Sequence, residues 1–511
     1  MPQDLPFGWL ADTSEKYSDF IDHWGRTAPD QVAIENSDQT LTYGEIARDV
    51  DRLATHLAQQ GLRPRDRLFI VGENAVGTVL LVFAANRVGA SISVVNARMK
   101  TSEIKVLRDF ADPRLTAFVA QGSDVTGDHA RALGASVIDL ETLGGEIWLG
   151  SVNDASEQNE DRGATKDQIA LIMFTSGTTG TPKGVMLTNA TMLAQAQSQN
   201  RARSLGPDDR LYVVAPMSHQ IGLSGSVISS TCAGCRMILP LRHDPDYLAR
   251  KLAAGDVTIV VGVPQLYNGL LAYAASKGIT FEKSRLRLAG SGGAPLDPAL
   301  KERVRDVLGV TLANGYGATE FVPVCRVPPG ADVASNVVGK LEPGVECRIV
   351  DDDGTDLPDG TSGEIWVRGP FMMVGYFRNP DATAEVMRPG GWLATGDIGM
   401  IENGMIAITG RKKEIIIRSG FNVYPTDVEA ALTEYPDVNM AAVLGRRVEN
   451  NEEIVAFVTA MPDRTIDPDA LRDFTRKTLT AYKVPTEVVV LDEMPIGPTG
   501  KILKTALKDR L

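Results

Sequence analysis

The segment that most constrains this sequence is a loop of glycine, threonine, serine and one lysine that follows an apolar run. Residues 169–174 read IALIMF, and residues 175–184 read TSGTTGTPKG. The apolar run is typical of a buried strand. Glycines after such a strand let backbone N–H groups turn towards an anion, while hydroxyls add donors and Lys183 adds charge. A Walker A loop has a different order, because here Pro182 precedes the lysine and Gly184 follows it. The sequence therefore predicts another type of phosphate-binding loop.

The length and charge of the chain indicate how many domains to expect and which kinds of partner are disfavoured. Its 511 residues exceed the roughly 250 to 300 residues at which single cores stop growing, so we expect two or more domains. The net charge of -13 at pH 7 disfavours nucleic acid or an anionic membrane as the main partner, since either requires a basic surface. No apolar run is long enough to span a bilayer, and the first residues lack a basic and apolar leader pattern. A cytoplasmic protein without an integral membrane segment is expected.

The cysteines and histidines do not form a recognisable metal-binding pattern. Cys232 and Cys235 have CxxC spacing, but Cys325 and Cys347 are too far apart to form a second such pair. The five histidines are scattered along the chain. Four cysteines in a chain of this length do not make a disulfide framework either. The sequence predicts neither a structural metal nor a redox pair.

Strand-like and helix-like segments alternate through most of the chain. The runs 67–71, 211–214 and 257–261 are rich in valine, leucine and isoleucine, whereas 43–60 and 298–308 have helical periodicity. Such alternation predicts mainly parallel sheets covered by helices. We expect an α/β fold with a large N-terminal domain of this kind.

Two further regions depart from that alternation. Turn sequences at 351–354 and 358–360 flank short strands, which predicts a small β subdomain at about 340–400. The polar, acidic stretch 151–168 is interpreted as a surface connection. The last hundred residues, which contain the helical segment 425–435, predict a small mobile α+β C-terminal domain. The predicted domains span residues 1–411 and 412–511.

Eight segments of the sequence occur in the order found in one enzyme superfamily. They are TSGTTGTPKG at 175–184, APMSH at 215–219, GSGGAPL at 290–296, NGYGATE at 314–320, GEIWVRGP at 363–370, WLATGD at 392–397, GRKKE at 410–414 and PTGK at 498–501. With these segments the chain resembles the adenylate-forming (AMP-binding) superfamily, in its acyl-CoA synthetase and aryl-CoA ligase branch. The resemblance implies formation of an acyl-adenylate from a carboxylate and ATP, with release of pyrophosphate. The protein must then stabilise crowded negative charge.

The resemblance assigns roles around ATP. The loop would hold the β- and γ-phosphates with Lys183 as its cation, while Thr319 would contact the α-phosphate and Glu320 would bind Mg²⁺. Tyr316 would stack on adenine beside Asn314. The implied ATP and AMP site comprises Thr175, Ser176, Gly177, Thr178, Thr179, Gly180, Lys183, Asn314, Tyr316, Gly317, Asp397 and Arg411.

The resemblance also implies a second group of residues that acts on the ribose and on the thiol step. Asp397 and Arg411 match the pair that contacts the ribose hydroxyls, where a carboxylate can accept from both. Lys501 matches the lysine that enters the site during adenylation, and Lys413 matches the pivot about which the small domain rotates. The implied CoA-binding residues are Ser419, Gly420 and Phe421. Asn451 stands where many CoA ligases have glycine before a glutamate, which leaves the CoA contacts of that surface open.

The acyl pocket is expected from the segments that border it in the family. His219 matches the aromatic gate that closes the pocket and is placed among the catalytic residues with Lys501, Thr319 and Glu320. No acidic residue in these segments meets an amino group, and no basic residue obviously meets a second carboxylate. An apolar medium-chain fatty or aromatic monocarboxylate is therefore expected. The predicted lining is His219, Ile221, Gly225, Val263, Gln265, Tyr267, Gly290, Gly292 and Ala294.

The leading hypothesis is a CoA ligase that uses ATP, Mg²⁺ and coenzyme A on a small-molecule carboxylate. One alternative is an adenylating enzyme that loads its acyl group onto the phosphopantetheine of a carrier protein. Another is a non-catalytic acyl or nucleotide sensor. The joint presence of Lys183, Glu320, Asp397, Arg411 and Lys501 counts against a sensor. Luciferase-like oxygenation has no specific support, and a homodimer is left open.

Overall fold

The structure is a computed structural model of the chain. It describes residues 9–121, 123–138, 144–175, 182–293, 296–328, 330–331, 333–334, 336–418, 421–449, 451–461, 463–497 and 502–511. In these ranges no helix is both long and apolar enough to cross a membrane.

The first part of the chain builds one mixed sheet and the helices that cover it. Its elements are α1 (Trp9–Thr13), α2 (Asp19–Thr27), β1 (Val32–Glu35), β2 (Thr40–Thr42), α3 (Tyr43–Gln59), β3 (Arg67–Gly72), α4 (Val76–Val88), β4 (Ser91–Asn96), α5 (Thr101–Ala111), β5 (Leu115–Val119), α6 (Asp124–Ala132), β6 (Ser136–Val137), β7 (Ile147–Leu149), β8 (Ile169–Thr175), β9 (Lys183–Thr188) and α7 (Asn189–Arg203). The described strands order as β5-β3-β4-β8 at the parallel centre, and antiparallel strands β7 and β9 flank them.

The next part forms the parallel centre of a second sheet. Its elements are β10 (Arg210–Tyr212), a π-helix (Leu223–Ile228), α8 (Ser229–Ala233), β11 (Arg236–Ile238), α9 (Pro245–Ala253), β12 (Ile259–Gly262), α10 (Pro264–Lys277), β13 (Leu288–Ser291), α11 (Pro298–Leu308), β14 (Leu312–Ala318) and β15 (Phe321–Arg326). Strands β14-β13-β12-β10-β11-β1 are parallel neighbours, whereas β15 returns antiparallel to β14.

An antiparallel group continues the second sheet beyond β15. Its elements are β16 (Val337–Leu341), β17 (Glu346–Val350), β18 (Gly363–Arg368), β19 (Gly375–Tyr376), α12 (Pro380–Val386), β20 (Met387–Arg388), β21 (Trp392–Glu402) and β22 (Met405–Arg411). Strands β17-β18-β21-β22-β16-β15 follow one another in the ladder. The exception is β19, which crosses over to pair with β9 of the first sheet.

The remaining elements form a small α+β unit. They are β23 (Ile416–Arg418), β24 (Phe421–Val423), α13 (Pro425–Thr433), β25 (Val438–Val448), β26 (Asn451–Ala460), α14 (Pro468–Thr475), β27 (Glu487–Leu491) and α15 (Lys504–Lys508). Strand β26 lies between β25, antiparallel, and β27, parallel. This unit has hydrophobic clusters of its own, one on each face of the three-stranded sheet.

Local sequence explains where several helices begin. In α3, the Thr42 hydroxyl accepts from the Glu45 N–H, and the Glu45 carboxylate accepts from the Thr42 N–H at 2.8 Å, a capping box. Helices α9, α11 and α14 each begin with an aspartate cap followed by proline. Both residues suit a helix start, since aspartate accepts from free N–H groups and proline lacks one.

The predicted fold class is confirmed: a large α/β sheet region is followed by a small α+β unit. Parallel ladders occupy the centres of the two large sheets, whereas their ends are antiparallel. The β subdomain expected at 340–400 is one end of the second sheet, and its strands run from Val337 to Arg411.

Candidate active site

A cavity of about 1080 Å³ lies at the carboxyl ends of β12, β13 and β14. Ligands of parallel α/β sheets bind at this edge, because the loops that leave the strands converge there. The π-helix, α7, β9 and the β14–β15 hairpin supply its other walls. Most of the predicted site residues that the structure describes line this one cavity.

One end of the cavity is formed by the strands on either side of the phosphate loop. Thr175 ends β8 and pairs with Lys183, the first residue of β9. Both line the cavity. The predicted loop residues Ser176, Gly177, Thr178, Thr179 and Gly180 lie outside the described residues.

Tyr376 connects this end to the predicted metal-binding glutamate. Its hydroxyl donates to Glu320 Oε1 at 2.8 Å, and its ring centroid lies 4.8 Å from Lys183 Nζ. Burial and the neighbouring carboxylate raise the pKa of Tyr376, so it remains a donor. Sequence reasoning missed this residue. The pairing of β19 with β9, which places it here, joins segments far apart in the chain and leaves no local signal.

Thr319 and Glu320 occupy the turn between β14 and β15, and both line the cavity. The Glu320 carbonyl accepts from the Met373 N–H at 2.8 Å, which fixes the turn against the segment before β19. Carboxylate oxygen is a donor type that Mg²⁺ prefers, and Mg²⁺ commonly takes one or two carboxylates together with substrate phosphates. Glu320 therefore fits the predicted metal role in donor type and position.

Asp397 and Arg411 are brought together by the β21–β22 hairpin. They are direct partners in its register, and Arg411 Nε lies 3.0 Å from Asp397 Oδ1. The other carboxylate oxygen, Oδ2, accepts from the Tyr316 hydroxyl at 2.6 Å. Burial and Asp397 raise the pKa of Tyr316, and Asp397 also raises that of Arg411. Tyr316, Asp397 and Arg411, all predicted to lie around the nucleoside, thus form one hydrogen-bonded group.

Asn314 and Gly317 line the same part of the cavity. A Cβ at Gly317 would lie 2.7 Å from a methyl group of Val322, so this position admits no side chain without a shift. The strand β14 thereby presents its backbone close to the predicted adenine site.

The opposite part of the cavity is walled by the π-helix and the segment before it. His219, Ile221 and Gly225 line it as predicted. The Gly225 N–H donates to the Gln220 carbonyl, five residues earlier, at 2.8 Å. Such wide turns are common at functional sites. Gly222 must be glycine, because a Cβ there would lie 2.2 Å from the Pro216 carbonyl oxygen.

The β12 and β13 ends complete the predicted acyl pocket, with one correction. Val263, Gln265, Gly290 and Gly292 line the cavity, whereas Ala294 lies outside the described residues. Tyr267 does not line it. Its side chain is fully buried behind the wall, and its hydroxyl donates to the carbonyls of Val260 and Gly290, each at 2.9 Å. Tyr267 follows Gln265 by two residues on α10, about 200° around the helix, and its ring packs in the core below the sheet edge.

The structure also brings basic residues into the cavity, contrary to the sequence expectation. Arg203 ends α7 and Arg326 ends β15, and both line the cavity beside Glu342. On α7, Gln195 and Gln199 precede Arg203 at intervals of four residues, so all three share one helix face. This spacing is the signal that sequence reasoning overlooked, because it lies outside the segments that border the pocket in the family.

The predicted hinge and thiol-step residues lie in or next to the small unit. Lys413 is exposed in a 3₁₀ turn at Lys412–Glu414. Phe421 is 55% exposed and stacks on Tyr482 with ring centroids 4.7 Å apart. It is not among the described residues that line the cavity. Ser419, Gly420 and Lys501 lie outside the described residues.

Asn451, where many CoA ligases have glycine, is followed by a glutamate whose contact the structure describes. Glu452, which follows Asn451, accepts from the Ile417 N–H at 2.6 Å. The carboxylate thereby ties β26 to β23, two residues before the predicted CoA-binding loop.

The CxxC cysteines are free thiols in the core. Cys232 and Cys235 are both buried, and burial raises the pKa of Cys232 to about 12. A thiol in this state is a poor nucleophile and metal ligand. Within the described ranges, no three histidine, cysteine, aspartate or glutamate residues are arranged to hold a metal ion.

Comparison with known protein families shows the family to which the chain belongs. Residues 21–377 match the AMP-binding enzyme family and residues 427–501 match the AMP-binding enzyme C-terminal domain. The protein therefore belongs to the AMP-binding enzyme family, the adenylate-forming superfamily, in its acyl-CoA synthetase branch.

Individual relatives cover nearly the whole chain. A feruloyl-CoA synthase of Amycolatopsis sp. is 32% identical over 95% of this chain and 97% of its own. A long-chain-fatty-acid–CoA ligase of Escherichia coli is 30% identical over 99% and 97%. The crystal structure of ATP-bound MatB from Rhodopseudomonas palustris superposes with a TM-score of 0.84 at 29% identity, covering 96% of this chain and 98% of that one.

The correction at Tyr267 can be tested by stability. Tyr267→Phe leaves two buried carbonyls without this donor, so we expect the free energy of unfolding to fall by about 1 kcal/mol and the melting temperature to fall with it. Tyr247→Phe, on the partly exposed helix α9, is the control. Differential scanning calorimetry of both variants measures the difference. Equal melting temperatures would contradict the buried placement.

Proposed function

We propose that this protein is an ATP-dependent carboxylate–CoA ligase. It forms acyl-AMP and pyrophosphate from an acid and ATP, and then acyl-CoA and AMP. The observation that carries the proposal is one cavity lined at one part by Lys183, Glu320 and Arg411, the partner of Asp397. Glycine and apolar residues, together with Arg203 and Arg326, line its other part. Both reactants of the first step thereby fit into one connected space.

The first step requires charge stabilisation more than covalent catalysis by the protein. A carboxylate is a poor electrophile, because its leaving group would be oxide. Attack of its oxygen on the α-phosphorus of ATP makes phosphate the later leaving group and expels pyrophosphate. The protein must hold two anions together and neutralise the charge that develops. Lys183 and Arg411 supply positive charge along the cavity, and the Thr319 hydroxyl supplies a donor between them.

Bound Mg²⁺ would neutralise phosphate charge next to Glu320, which is the residue we assign to hold it. Tyr376 then has a positioning role, since its hydroxyl occupies one oxygen of Glu320 and directs the carboxylate towards the cavity. Its ring faces the Lys183 ammonium, which favours one orientation of that flexible side chain.

The nucleoside is assigned to the Tyr316–Asp397–Arg411 group. Each oxygen of Asp397 has one protein donor, and a carboxylate has about four lone-pair sites, so capacity remains for ribose hydroxyls. Asn314 and Gly317 then border the adenine.

For the second step, we assign residues 1–411 and 412–511 as the large and the mobile domain. Lys413 is the proposed pivot, Lys501 the lysine for adenylation, and Ser419, Gly420 and Phe421 the thiol path. The support is the exposed position of Lys413 directly after β22 and the separate hydrophobic clusters of the small unit. The named relatives use CoA, which favours free CoA as the acceptor.

The body of the acid is proposed to be apolar, of aromatic or fatty type. Ile221, Val261 and Leu266 are among the apolar residues that line the cavity. The relatives named for feruloyl and long-chain fatty acyl groups agree with such a body. His219 is assigned as the gate at the entrance to this part. The restriction to a monocarboxylate is not retained, because Arg203 and Arg326 reach the cavity.

The first experiment detects products by mass spectrometry. The protein is incubated with ATP, Mg²⁺, CoA and a panel of fatty, aryl and dicarboxylic acids, and acyl-CoA and AMP are expected together. AMP and pyrophosphate without thioester would instead indicate a carrier-protein acceptor. Absence of AMP with every acid would contradict the ligase.

The role of Lys501 predicts that the two half-reactions separate. Lys501→Ala is expected to reduce pyrophosphate release by about a thousandfold or more, in line with the loss of a charged transition-state contact, while thioester formation from supplied acyl-AMP stays largely intact. Lys508→Ala, an exposed lysine of α15, is the matched control. Equal loss of both half-reactions would reject the assignment.

The role of Tyr376 predicts a defect in the use of ATP. Tyr376→Phe removes the hydrogen bond to Glu320, so we expect kcat/KM for ATP to fall about tenfold, the size expected for one bond to a charged group. Tyr247→Phe, outside the cavity lining, is the control. The measurement is pyrophosphate release at varied ATP concentration. An unchanged kcat/KM would remove Tyr376 from the site.

A further inference from the structure

The part of the cavity bordered by α7 and the end of β15 contains a buried group of charges. Arg203 is 8% exposed and Glu342 is 7% exposed, and Arg326 lies beside Glu342. Two arginines and one glutamate give this group a net positive charge. Buried charges are costly unless each has a partner, so the pairing within the group decides what the pocket can accept.

Each carboxylate oxygen of Glu342 accepts a hydrogen bond from a residue other than Arg203. Its Oε1 accepts from Arg326 Nε, and its Oε2 accepts from the Ser198 hydroxyl at 2.6 Å. Arg326 in turn donates from Nη1 to Gln199 Oε1 at 2.7 Å. The single carboxylate of the group therefore neutralises Arg326.

Arg203 has no carboxylate partner within the described part of the chain. Its Nη1 donates to the Gly225 carbonyl, which is a neutral acceptor. Burial, with a smaller contribution from Arg326, lowers the pKa of Arg203 to about 9, and the nearby Glu342 carboxylate offsets only part of this effect. The guanidinium thus remains charged at neutral pH, inside the protein and next to a cavity.

Two glutamine side chains of the same cavity have amide atoms without hydrogen bonds in the described part of the chain, and a glycine leaves open space in front of Arg203. Gln195, 1% exposed, has no hydrogen bond at either amide atom among the described residues, and neither has Gln220 Nε2. A Cβ at Gly225 would stand 3.9 Å from Arg203 Nη2 and 4.0 Å from Gln199 Nε2. Because residue 225 is glycine, the space in front of both groups is open.

This group lies far from the predicted site of acid activation. Strand β15 leads from Phe321, directly after Glu320, to Arg326. Five residues of extended strand span about 16 Å. An acid that reacts near Thr319 can therefore reach the arginines only with its opposite end.

We infer that the acid carries a second carboxylate at the end remote from the one activated, and that Arg203 binds it together with the Gln199 amide. The inference rests on the proposed function of this cavity. The remote carboxylate supplies the charge that Arg203 lacks and acceptors for the guanidinium and for the Gln199 amide. A keto or hydroxyl group would supply an acceptor without neutralising the charge.

Binding is tested with matched acids on the full-length protein. Isothermal titration calorimetry, with a saturating non-hydrolysable ATP analogue, compares α,ω-dicarboxylates of graded length with their ω-methyl esters and with ω-methyl monocarboxylates. We expect at least one diacid to bind about tenfold more tightly or better than its ester, as a charge-assisted contact predicts. Equal binding of every diacid and its ester, including no binding of either, would overturn the inference.

Variants identify the residue responsible. Arg203→Gln is expected to abolish the preference for the diacid, and Arg203→Lys to keep part of it. Arg52→Gln, which removes an exposed arginine of α3, is the control that should keep all of it. If Arg203→Gln does not fold, the wild-type comparison of diacid and ester still decides. Persistence of the full preference in folded Arg203→Gln would overturn the assignment to Arg203.

Activity distinguishes this inference from the proposed function. If a diacid binds more tightly than its ester but no acid supports pyrophosphate release, the ligase is refuted and the carboxylate site remains supported. Thioester formation from monocarboxylates, with no better kcat/KM for any diacid than for its ester, would support the ligase and refute the second carboxylate. If the second carboxylate binds Arg203, then Arg203→Gln raises KM for the diacid and leaves KM for the ester unchanged.

Discussion

The β14–β15 hairpin is the element on which the whole cavity depends. Its register pairs Ala318 with Phe321 at the turn and Gly315 with Arg326 at the far end. One strand places Asn314 and Tyr316 at the nucleotide part, the turn places Glu320, and the return strand places Arg326 beside the acyl part. The parallel ladder of the second sheet ends at this hairpin and the antiparallel ladder begins there. A slip of one residue would move every one of these side chains to the opposite face.

Contacts between segments far apart in sequence complete what the hairpin starts. The crossover of β19 onto β9 joins the two large sheets and brings Tyr376 between Lys183 and Glu320. The β21–β22 register sets Asp397 opposite Arg411, and Tyr316 from the hairpin bonds the remaining oxygen. In the nucleotide part, Arg411 is paired with the Asp397 carboxylate. In the acyl part, Arg203 has no ion pair with a carboxylate among the described residues. That imbalance is the physical difference between the two parts of the cavity.

Much of the fold could be predicted from the sequence, because local signals were strong: the apolar run before the phosphate loop, the Thr42–Glu45 capping box and the regular alternation of strands and helices. The order of the motifs indicated the family, and most of the site residues predicted from it that the structure describes line the cavity. Tyr267 was misplaced, because a spacing along a helix does not reveal on which side of a sheet its residues pack. Tyr376 was missed, since only the pairing of β19 with the distant strand β9 brings it to the cavity. Arg203 and Arg326 were missed because they lie outside the segments that border the pocket in the family. The roles at Lys501, Ser419 and Gly420 remain predictions.

Helix α7 gives the cavity a mechanical property. It begins at Asn189, directly after β9, and ends at Arg203, so its 15 residues form one rod about 22 Å long. One end of this rod continues the strand that carries Lys183, and the other end carries the Arg203 guanidinium, which bonds the neutral Gly225 carbonyl. A hydrogen-bonded helix resists compression, so α7 fixes the separation between Arg203 and the strand that carries Lys183. The distance between these two cationic ends of the cavity is therefore set by the length of a single helix.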